Sequence, residues 1–488
     1  MKDSLAHLRS AIERIYRSLQ HTGQKAEKII ARVHPHQRRS AANLMHYLAL
    51  RKEDLRNLQD DLHNAGLSSL ASSESHAMRQ VQAVLQRLGA DIPKKDISTI
   101  DYTAALRLMH RRATTLFGQK PHPNIPHLMV TFDSKLADDY GGVKSLIKAG
   151  MNIARINCAH DGPEAWRKMI LNVHKASRAT GSPCKIYIDL AGPKIRTMLL
   201  GKGRKKGRMK LLEQERFFLA ELGAQYNKEE KVVGCTLPGV VKDLQAGDRV
   251  LFDDGLFEAV VESPGELMAV LRLTRVSAPN PRIKPEKGIN FPDTELTVRC
   301  LTDFDKSVIP FAQAHADLVG FSFVRSAADV AELQGLLRRN GGKKLPIVLK
   351  IETYEAVQNL PTLLLQGMEE PVFGVMIARG DLAVEIGFER LSEIQEEILW
   401  LCEAAHVPVI WATQVLETLN KSGIATRSEV TDAAHAAHAE CVMLNKGKYM
   451  LTVLATLQDI LHRIGGHHAK KRYLFRPLKI AERFLGGL

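Results

Sequence analysis

The six cysteines of this 488-residue chain (Cys158, Cys184, Cys235, Cys300, Cys402 and Cys441) lie far apart and never form a C-x-x-C pair. That argues against a disulfide scaffold or a zinc–thiolate site. No uninterrupted apolar run is long enough to cross a bilayer, so a membrane protein is not expected. The amino-terminal MKDSLAHLRSAIERIY mixes charge with apolar residues where a signal peptide needs a hydrophobic centre; a cytoplasmic protein is the expectation. The 34 glycines and 20 prolines stand near average use, which rules out a collagenous or largely disordered chain. The stretch GKGRKKG at 201–207 is Gly-rich and basic, yet it lacks the G-K-[ST] ending of a P-loop and reads as an exposed loop. What is present is an ordinary globular mix, 45% hydrophobic and 25% charged, at a length suited to two or three units. The 68 basic residues outnumber the 54 acidic ones, giving +14. Such a charge attracts anions: nucleic acid, a membrane surface or small phosphorylated metabolites. With no nucleic-acid motif in the chain, nucleic acid is not an expected partner.

Residues 1–125 read as a helical extension. Leu5, Leu8, Ile12, Ile15 and Leu19 form one stripe; Leu44, Leu48, Leu55, Leu58 and Leu62 form a second, with Gly66 at its C-cap. Val81, Leu85 and Leu88 before Gly89 make a third, and Tyr102 to Phe117 a weaker fourth. A small bundle or docking arm is expected, bounded by the Pro-rich QKPHPNIPH at 119–127. Beyond it, short apolar runs alternate with helical stretches. Strands are expected near 127–132, 152–156, 184–188, 317–321, 346–351, 372–378, 408–411 and 440–444, and Ser392 with Gln395 reads as a capping box. Eight βα units predict an α/β fold, a TIM barrel over 126–191 and 292–464. Residues 192–291 turn β-like, with Asp254-Gly255 as a hairpin signal, and predict an inserted β-barrel-like domain. A basic tail, 465–488, contains KKRYLFRPLKIAERFL, a candidate amphipathic helix for which surface packing is the first reading.

Barrel chemistry gathers at the carboxyl ends of strands. Here those ends carry Arg155 and Asn157, Asp189, Ser322 and Arg325, Lys350 and Glu352, Arg379 and Asp381, then Thr413 and Gln414. Glu352 and Asp381, from adjacent strands, suit Mg²⁺, which prefers oxygen ligands and keeps several waters. Lys350, one residue removed from Glu352, shares its side of the strand. Arg155 offers a planar fork for carboxylate or phosphate, and Gly380 lets backbone approach a ligand. Together they predict a Mg²⁺ site for a small phosphorylated carboxylate. Two other signals read as structural. His435 and His438, three apart in an Ala-rich run, have no third ligand near in sequence and read as a solvated helix face, as do His467 and His468. Cys158 reads as a buried thiol.

The linear motifs resemble the pyruvate kinase family. They are GMNIARINCAHD (150–161), IDLAGPKIRT (188–197), FDDG (252–255), KGINFP (287–292), GFSFVRSAADV (320–330), KIET (350–353), IARGDLAVEI (377–386), ATQVLET (412–418) and TRSEVTDAA (426–434), in the family's order. The resemblance implies a glycolytic phosphotransferase moving the phosphoryl group of phosphoenolpyruvate to ADP, with Mg²⁺ (or Mn²⁺) as cofactor and a homo-oligomeric assembly. It implies Glu352 and Asp381 as metal ligands and Lys350 as the lysine on the transferring group. Gly380, Asp381 and Thr413 would lie on the substrate carboxylate and Arg155 on its phosphate; Arg196, His160, Lys287 and Asn157 would face the nucleotide.

Departures from the family pattern carry their own expectations. Of the Asn, Ser, Asp and Thr through which most of the family binds K⁺, Asn157 and Asp189 remain while Ala159 and Leu190 replace the Ser and Thr, and Lys194 stands where K⁺-dependent members have Glu. This resembles the K⁺-independent branch, in which a lysine ammonium replaces the monovalent cation. The family's S-G-E-T-A is here Asn445-Lys446-Gly447-Lys448-Tyr449, which removes a Glu and a Thr of the proton-delivery network. The altered TFDSKL at 131–136 bears on adenine and ribose recognition. The family's carboxyl-terminal regulatory domain has no counterpart here, so allostery by fructose bisphosphate is not expected. Two rival readings are a Mg²⁺-dependent lyase acting on a pyruvate-like substrate and a degenerate, non-catalytic binding relative.

Overall fold

A computed structural model describes residues 2–120, 122, 125–201, 204–205, 207–277, 280–465, 468–470 and 472–473. Eight parallel strands close a barrel in sequential order: β1 (His127–Thr131), β2 (Ile153–Asn157), β3 (Lys185–Asp189), β4 (Leu318–Phe321), β5 (Ile347–Ile351), β6 (Gly374–Ala378), β7 (Val409–Ala412) and β8 (Cys441–Leu444). β1 pairs with both β2 and β8, which closes the ring. The strands are apolar runs because helices cover one face and the barrel interior fills the other. The eight expected strands are all there, displaced by a residue or two at their ends.

The chain leaves the barrel after β3 and returns before β4. The intervening sheet runs, in spatial order, Ile289–Asn290, Arg249–Phe252, Phe257–Ser263, Met268–Val276, Arg216–Ala220, Lys231–Cys235 and Thr197–Gly201. Its two edge strands meet: the Thr197 amide donates to Lys287 O and the Ile289 amide to Ile195 O, which curls the sheet toward a barrel. It has its own core, built around Phe217, Phe252, Phe257 and Leu271. Asp253, Asp254 and Gly255 take positive φ in the hairpin between Arg249–Phe252 and Phe257–Ser263. Of the basic 201–207 stretch, residues 202, 203 and 206 lie outside the described residues; Arg204–Lys205 pairs with Arg208–Lys210.

The extension forms six helices: α1 (Lys2–Lys25), α2 (Glu27–Arg32), α3 (Arg38–Arg51), α4 (Arg56–Asn64), α5 (Ala77–Arg87) and α6 (Tyr102–Phe117). The second stripe is therefore two helices, broken where Lys52, Glu53 and Asp54 are exposed and offer no apolar face to bury. Asp101 caps α6 by accepting from the Ala104 amide at 2.7 Å, and Gly118 at φ 92° ends it. The extension shares one continuous core with the barrel. Ala113, Leu116 and Phe117 of α6 plug the barrel floor against Met129, Ile153, Tyr187, Leu318, Val348, Met376 and Ile410. Polar groups finish the seam. Arg112 donates to Ala405 O and His406 O at 3.1 and 2.9 Å, and Asn43 donates to Glu74 O and Ala404 O, both at 2.8 Å. His406, wholly buried, meets Ser40 Oγ at 3.0 Å and Ser75 O at 2.8 Å, and burial holds its pKa down at about 3.

One local expectation fails. Ser392 caps nothing: a 3₁₀ turn, Phe388–Arg390, leads into the helix Leu391–Ala404, so Ser392 is already inside it. Capping boxes stand instead at Thr302/Asp305, Ser326/Asp329 and Thr426/Glu429. In the tail, His468–Ala469 pairs with Arg472–Tyr473 as a small hairpin, and Lys470 ion-pairs with buried Glu440, while nearly all of the candidate amphipathic helix falls beyond the described residues. His467 and residues 474–488 lie outside the described residues. Among the described residues, no helix is long and apolar enough to cross a membrane.

Candidate active site

The barrel mouth is built one pleat above the apolar floor. Side chains two residues apart on a strand share a face, so Ile153, Tyr187 and Val348 of the floor are succeeded on the same inward face by Arg155, Asp189 and Lys350. These three join. Arg155 Nε donates to Asp189 Oδ2 at 2.9 Å and Nη1 to Thr131 Oγ1 at 2.9 Å. Lys350 Nζ lies 3.3 Å from the same carboxylate and donates to Ser322 Oγ at 2.7 Å. It also lies 3.2 Å from Glu352 Oε1. Gly320 on β4 leaves space beside this cluster: a Cβ there would collide with the Tyr187 hydroxyl and Asp189. Burial opposes every one of these charges, yet the partners prevail. Lys350 and Arg155 hold the Asp189 carboxyl below its ordinary value, while Asp189 holds the Lys350 ammonium and the Arg155 guanidinium above theirs. Asp189 is the hub. The sequence sets it among the polar strand ends and, through the family resemblance, among the remaining K⁺ ligands; its tie to Arg155 and Lys350 is seen only in the structure, its one signal being a charge inside the apolar run IYIDL.

Glu352 Oε2 accepts from the Phe323 amide at 2.6 Å. Burial raises its pKa, Lys350 opposes the rise, and nearby Asp381 adds to it. Asp381 belongs to the helix Arg379–Ile386, which begins directly at the end of β6. The Gly380 amide donates to Thr413 Oγ1 at 2.8 Å. Thr413, Gln414 and Leu416 all adopt φ between 48° and 65° after β7, a strained turn of the kind that concentrates at functional sites.

Lys194 lies 2.8 and 3.0 Å from the two oxygens of Asp381. Among the described residues its ammonium has no hydrogen bond or ion pair with Asn157 or Asp189, the remaining members of the expected K⁺ set. Asn157 Oδ1 instead accepts from the Ala159 amide at 3.0 Å. Of the nucleotide candidates, Arg196 and Lys287 lie along the closing edge of the inserted sheet, and Asn157 and His160 at the end of β2. Lys287 pairs with Asp253 at 2.7 Å, and Arg196 donates to Glu286 O at 3.1 Å. His160 is kept below its ordinary pKa first by burial, then by the charges of Lys446 and Arg196. Cys158 is buried and its pKa is pushed up.

Two strand-end arginines are held by backbone carbonyls and carboxylates around them. Arg379 donates to Ala412 O at 3.0 Å and pairs with Asp432. Arg325 donates to Leu296 O at 2.8 Å and to Val298 O, pinning the segment that returns from the inserted sheet. The altered 445–449 loop is tied down by Asn420, whose carbonyl accepts from the Lys448 and Tyr449 amides, both at 3.1 Å. A cavity of about 600 Å³ opens between inserted sheet and barrel, lined by Lys194, Asn290, Asp381 and Glu385 among others. Asn290 donates to Glu385 at 2.8 Å, and burial raises the Glu385 pKa to about 7. His435 and His438 are half-buried against a neighbouring helix rather than spread on a solvated face.

Donor chemistry at the mouth fits a hard divalent cation. Two carboxylates repel each other there, and oxygen atoms are the only ligands they offer.

Residues 129–451 match the family model described as pyruvate kinase, barrel domain. The pyruvate kinase of Thermotoga maritima is 32% identical over 351 residues, 70% of this chain and 71% of that one. That of Geobacillus stearothermophilus is 32% identical over 65% of this chain and 53% of its own. Human pyruvate kinase PKLR is 31% identical over 70% of this chain and 59% of its own. The chain thus spans little more than half the length of the latter two.

Proposed function

This chain belongs to the pyruvate kinase family, and from that premise we propose that its barrel mouth transfers the phosphoryl group of phosphoenolpyruvate to ADP, giving pyruvate and ATP. The observation that carries the proposal is the unbroken buried run Arg155–Asp189–Lys350–Glu352, with Asp381 and its Lys194 beside it.

Phosphoryl transfer asks a protein mainly for positioning and charge. Arg155 and Lys350 supply fixed positive charge at the transferring group. Asp189 holds both in place, since each hydrogen-bonds the same carboxylate oxygen. Glu352 and Asp381 would hold Mg²⁺, which would neutralise phosphate and enolate oxygens when bound. The start of the helix Arg379–Ile386, at Gly380, favours the substrate carboxylate, with Thr413 alongside. Arg196, His160 and Lys287 face the nucleotide phosphates. The P–O bond to the enol oxygen breaks, a β-phosphate oxygen of ADP takes the phosphoryl group, and the enolate takes a proton at carbon. With the family's Glu and Thr replaced at 445–449, relay of that proton is assigned on this reading to the Thr413 hydroxyl, which would have to leave its bond to Ala412 O. Lys194, bonded to both oxygens of Asp381, would take the place of the monovalent cation, and on this reading K⁺ is not required.

Pyruvate formation from phosphoenolpyruvate, with and without ADP, in Mg²⁺ buffer free of K⁺, tests this reading. ADP-dependent turnover, lost in Lys350→Met and unchanged by added K⁺, is expected. A many-fold stimulation by K⁺ over a Na⁺ control would remove Lys194 from its role. Turnover without ADP would point to a lyase, and none under any condition to a binding relative.

A further inference from the structure

We propose that Glu396, His435 and His438 form a binding site for a late first-row divalent cation, Zn²⁺ foremost, on the outer wall of the barrel. The helix Arg427–His435 ends at His435, and the 3₁₀ turn Ala436–His438 continues from it. That turn brings the second imidazole back beside the first, with ring centroids 4.6 Å apart and planes at 70°. The helix Leu391–Ala404 runs alongside and contributes Glu396, whose carboxylate is hydrogen-bonded to His435 Nε2. One ligand atom from each of the three residues falls within 4.8 Å of the other two, and all three residues are half-buried. Closing of these atoms around an ion therefore needs side-chain rotation, with no movement of the helices.

The wall behind is rigid. The His435 ring packs on buried Trp411 of β7 at 5.2 Å. Trp411 also lies under the Arg379 guanidinium at 4.5 Å, and Arg379 pairs with Asp432, one turn before His435. Lys470 donates to His438 O at 3.4 Å, tying the turn from its other side. Two imidazole nitrogens and one carboxylate oxygen are the donors of an open zinc site, whose fourth position falls to water. Imidazole selects late first-row ions over Mg²⁺, whereas the barrel mouth offers oxygen alone. One chain thus carries two cation sites of different chemistry.

The test is titration of metal-free, full-length protein with Zn²⁺ against a chromophoric chelator, in excess Mg²⁺ so that the mouth is saturated. One Zn²⁺ per chain at micromolar affinity or tighter is expected. His435→Ala and His438→Ala should each weaken it at least about 100-fold, the upper end of what the loss of a mere outer-shell partner costs. Glu396→Gln keeps a hydrogen bond to His435 and so preserves the fold should the alanine variants lose it; it should weaken binding at least about tenfold. Asp381→Asn should leave Zn²⁺ binding unchanged. Co²⁺ in place of Zn²⁺ should give visible absorption that Glu396→Gln alters. Absence of stoichiometric Zn²⁺ binding would overturn the proposal, as would binding that survives in the histidine variants or disappears with Asp381→Asn.

Discussion

On the floor of the barrel, Leu116 and Phe117 meet Ile153, Tyr187 and Val348; one pleat higher on the same three strands stand Arg155, Asp189 and Lys350. A step of two residues separates a layer whose burial stabilises the fold from one whose burial opposes it. Apolar contact needs no partner of defined geometry, so the floor tolerates any close-packed solution. Buried charges need every partner in place, and attraction regains little more than desolvation costs. The floor therefore carries stability, and the mouth carries the charges of the proposed chemistry. The helical extension belongs to the floor: its apolar end seals the barrel opposite the site.

The sharpest break of this contrast exchanges one residue at each end. Lys350→Met should lower kcat by at least about 10³-fold with a smaller loss of stability, because Arg155 still neutralises Asp189 and the Glu352 carboxyl, already raised by burial, can take up a proton. Phe117→Ala should do the reverse, costing about 3–5 kcal/mol in denaturant unfolding with kcat nearly retained. If Phe117→Ala abolished turnover without loss of stability, the division between floor and mouth would fail.

Acid should find the floor next. The His406 value of about 3 in the folded state lies below its ordinary 6.5. Stability from the neutral ring is then complete above pH 6.5 and is lost as pH falls toward 3, about 3 kcal/mol between pH 7 and 4.5. Unfolding free energy measured across that range should fall less steeply in His406→Asn than in the parent chain. An equal slope would show that His406 is not the group responsible.

The smallest effects concern the helix starts. Thr302→Ala removes a complete capping box at the rim, where Asp305 also accepts from the Gly192 amide at 3.2 Å; it should cost about 1 kcal/mol. Ser392→Ala, at a position inside its helix, should stay within about 0.5 kcal/mol. Chemical denaturation of the two variants side by side decides the matter, and equal losses would restore Ser392 as a cap.

Much of the fold was legible because doubly buried parallel strands are apolar runs of four or five residues between helical stretches. Leu44 to Leu62 deceived because leucine spacing persists across the break, which only the exposed charged run RKED at 51–54 marks. Ser392 deceived for a related reason: a capping box is two residue types at a spacing, and whether the chain enters the helix at that point is a matter of backbone. In the candidate site, residues just past strand ends could be read by position. Their partners could not. Arg379 and Arg325 sit at such ends yet spend their guanidinium groups on backbone and on Asp432.

Periodicity, turn residues and charge type are properties of neighbouring residues, and they determined the eight strands, the helical extension and the polar residues of the mouth. Closure of the barrel decided the rest. It set Asp189 between Arg155 and Lys350, residues 34 and 161 positions away, and laid Glu396 against His435 at a separation of 39. Contacts of that range arise when hydrophobic burial folds distant segments into one core, and only there does each charge find the neighbour that fixes its protonation and its use.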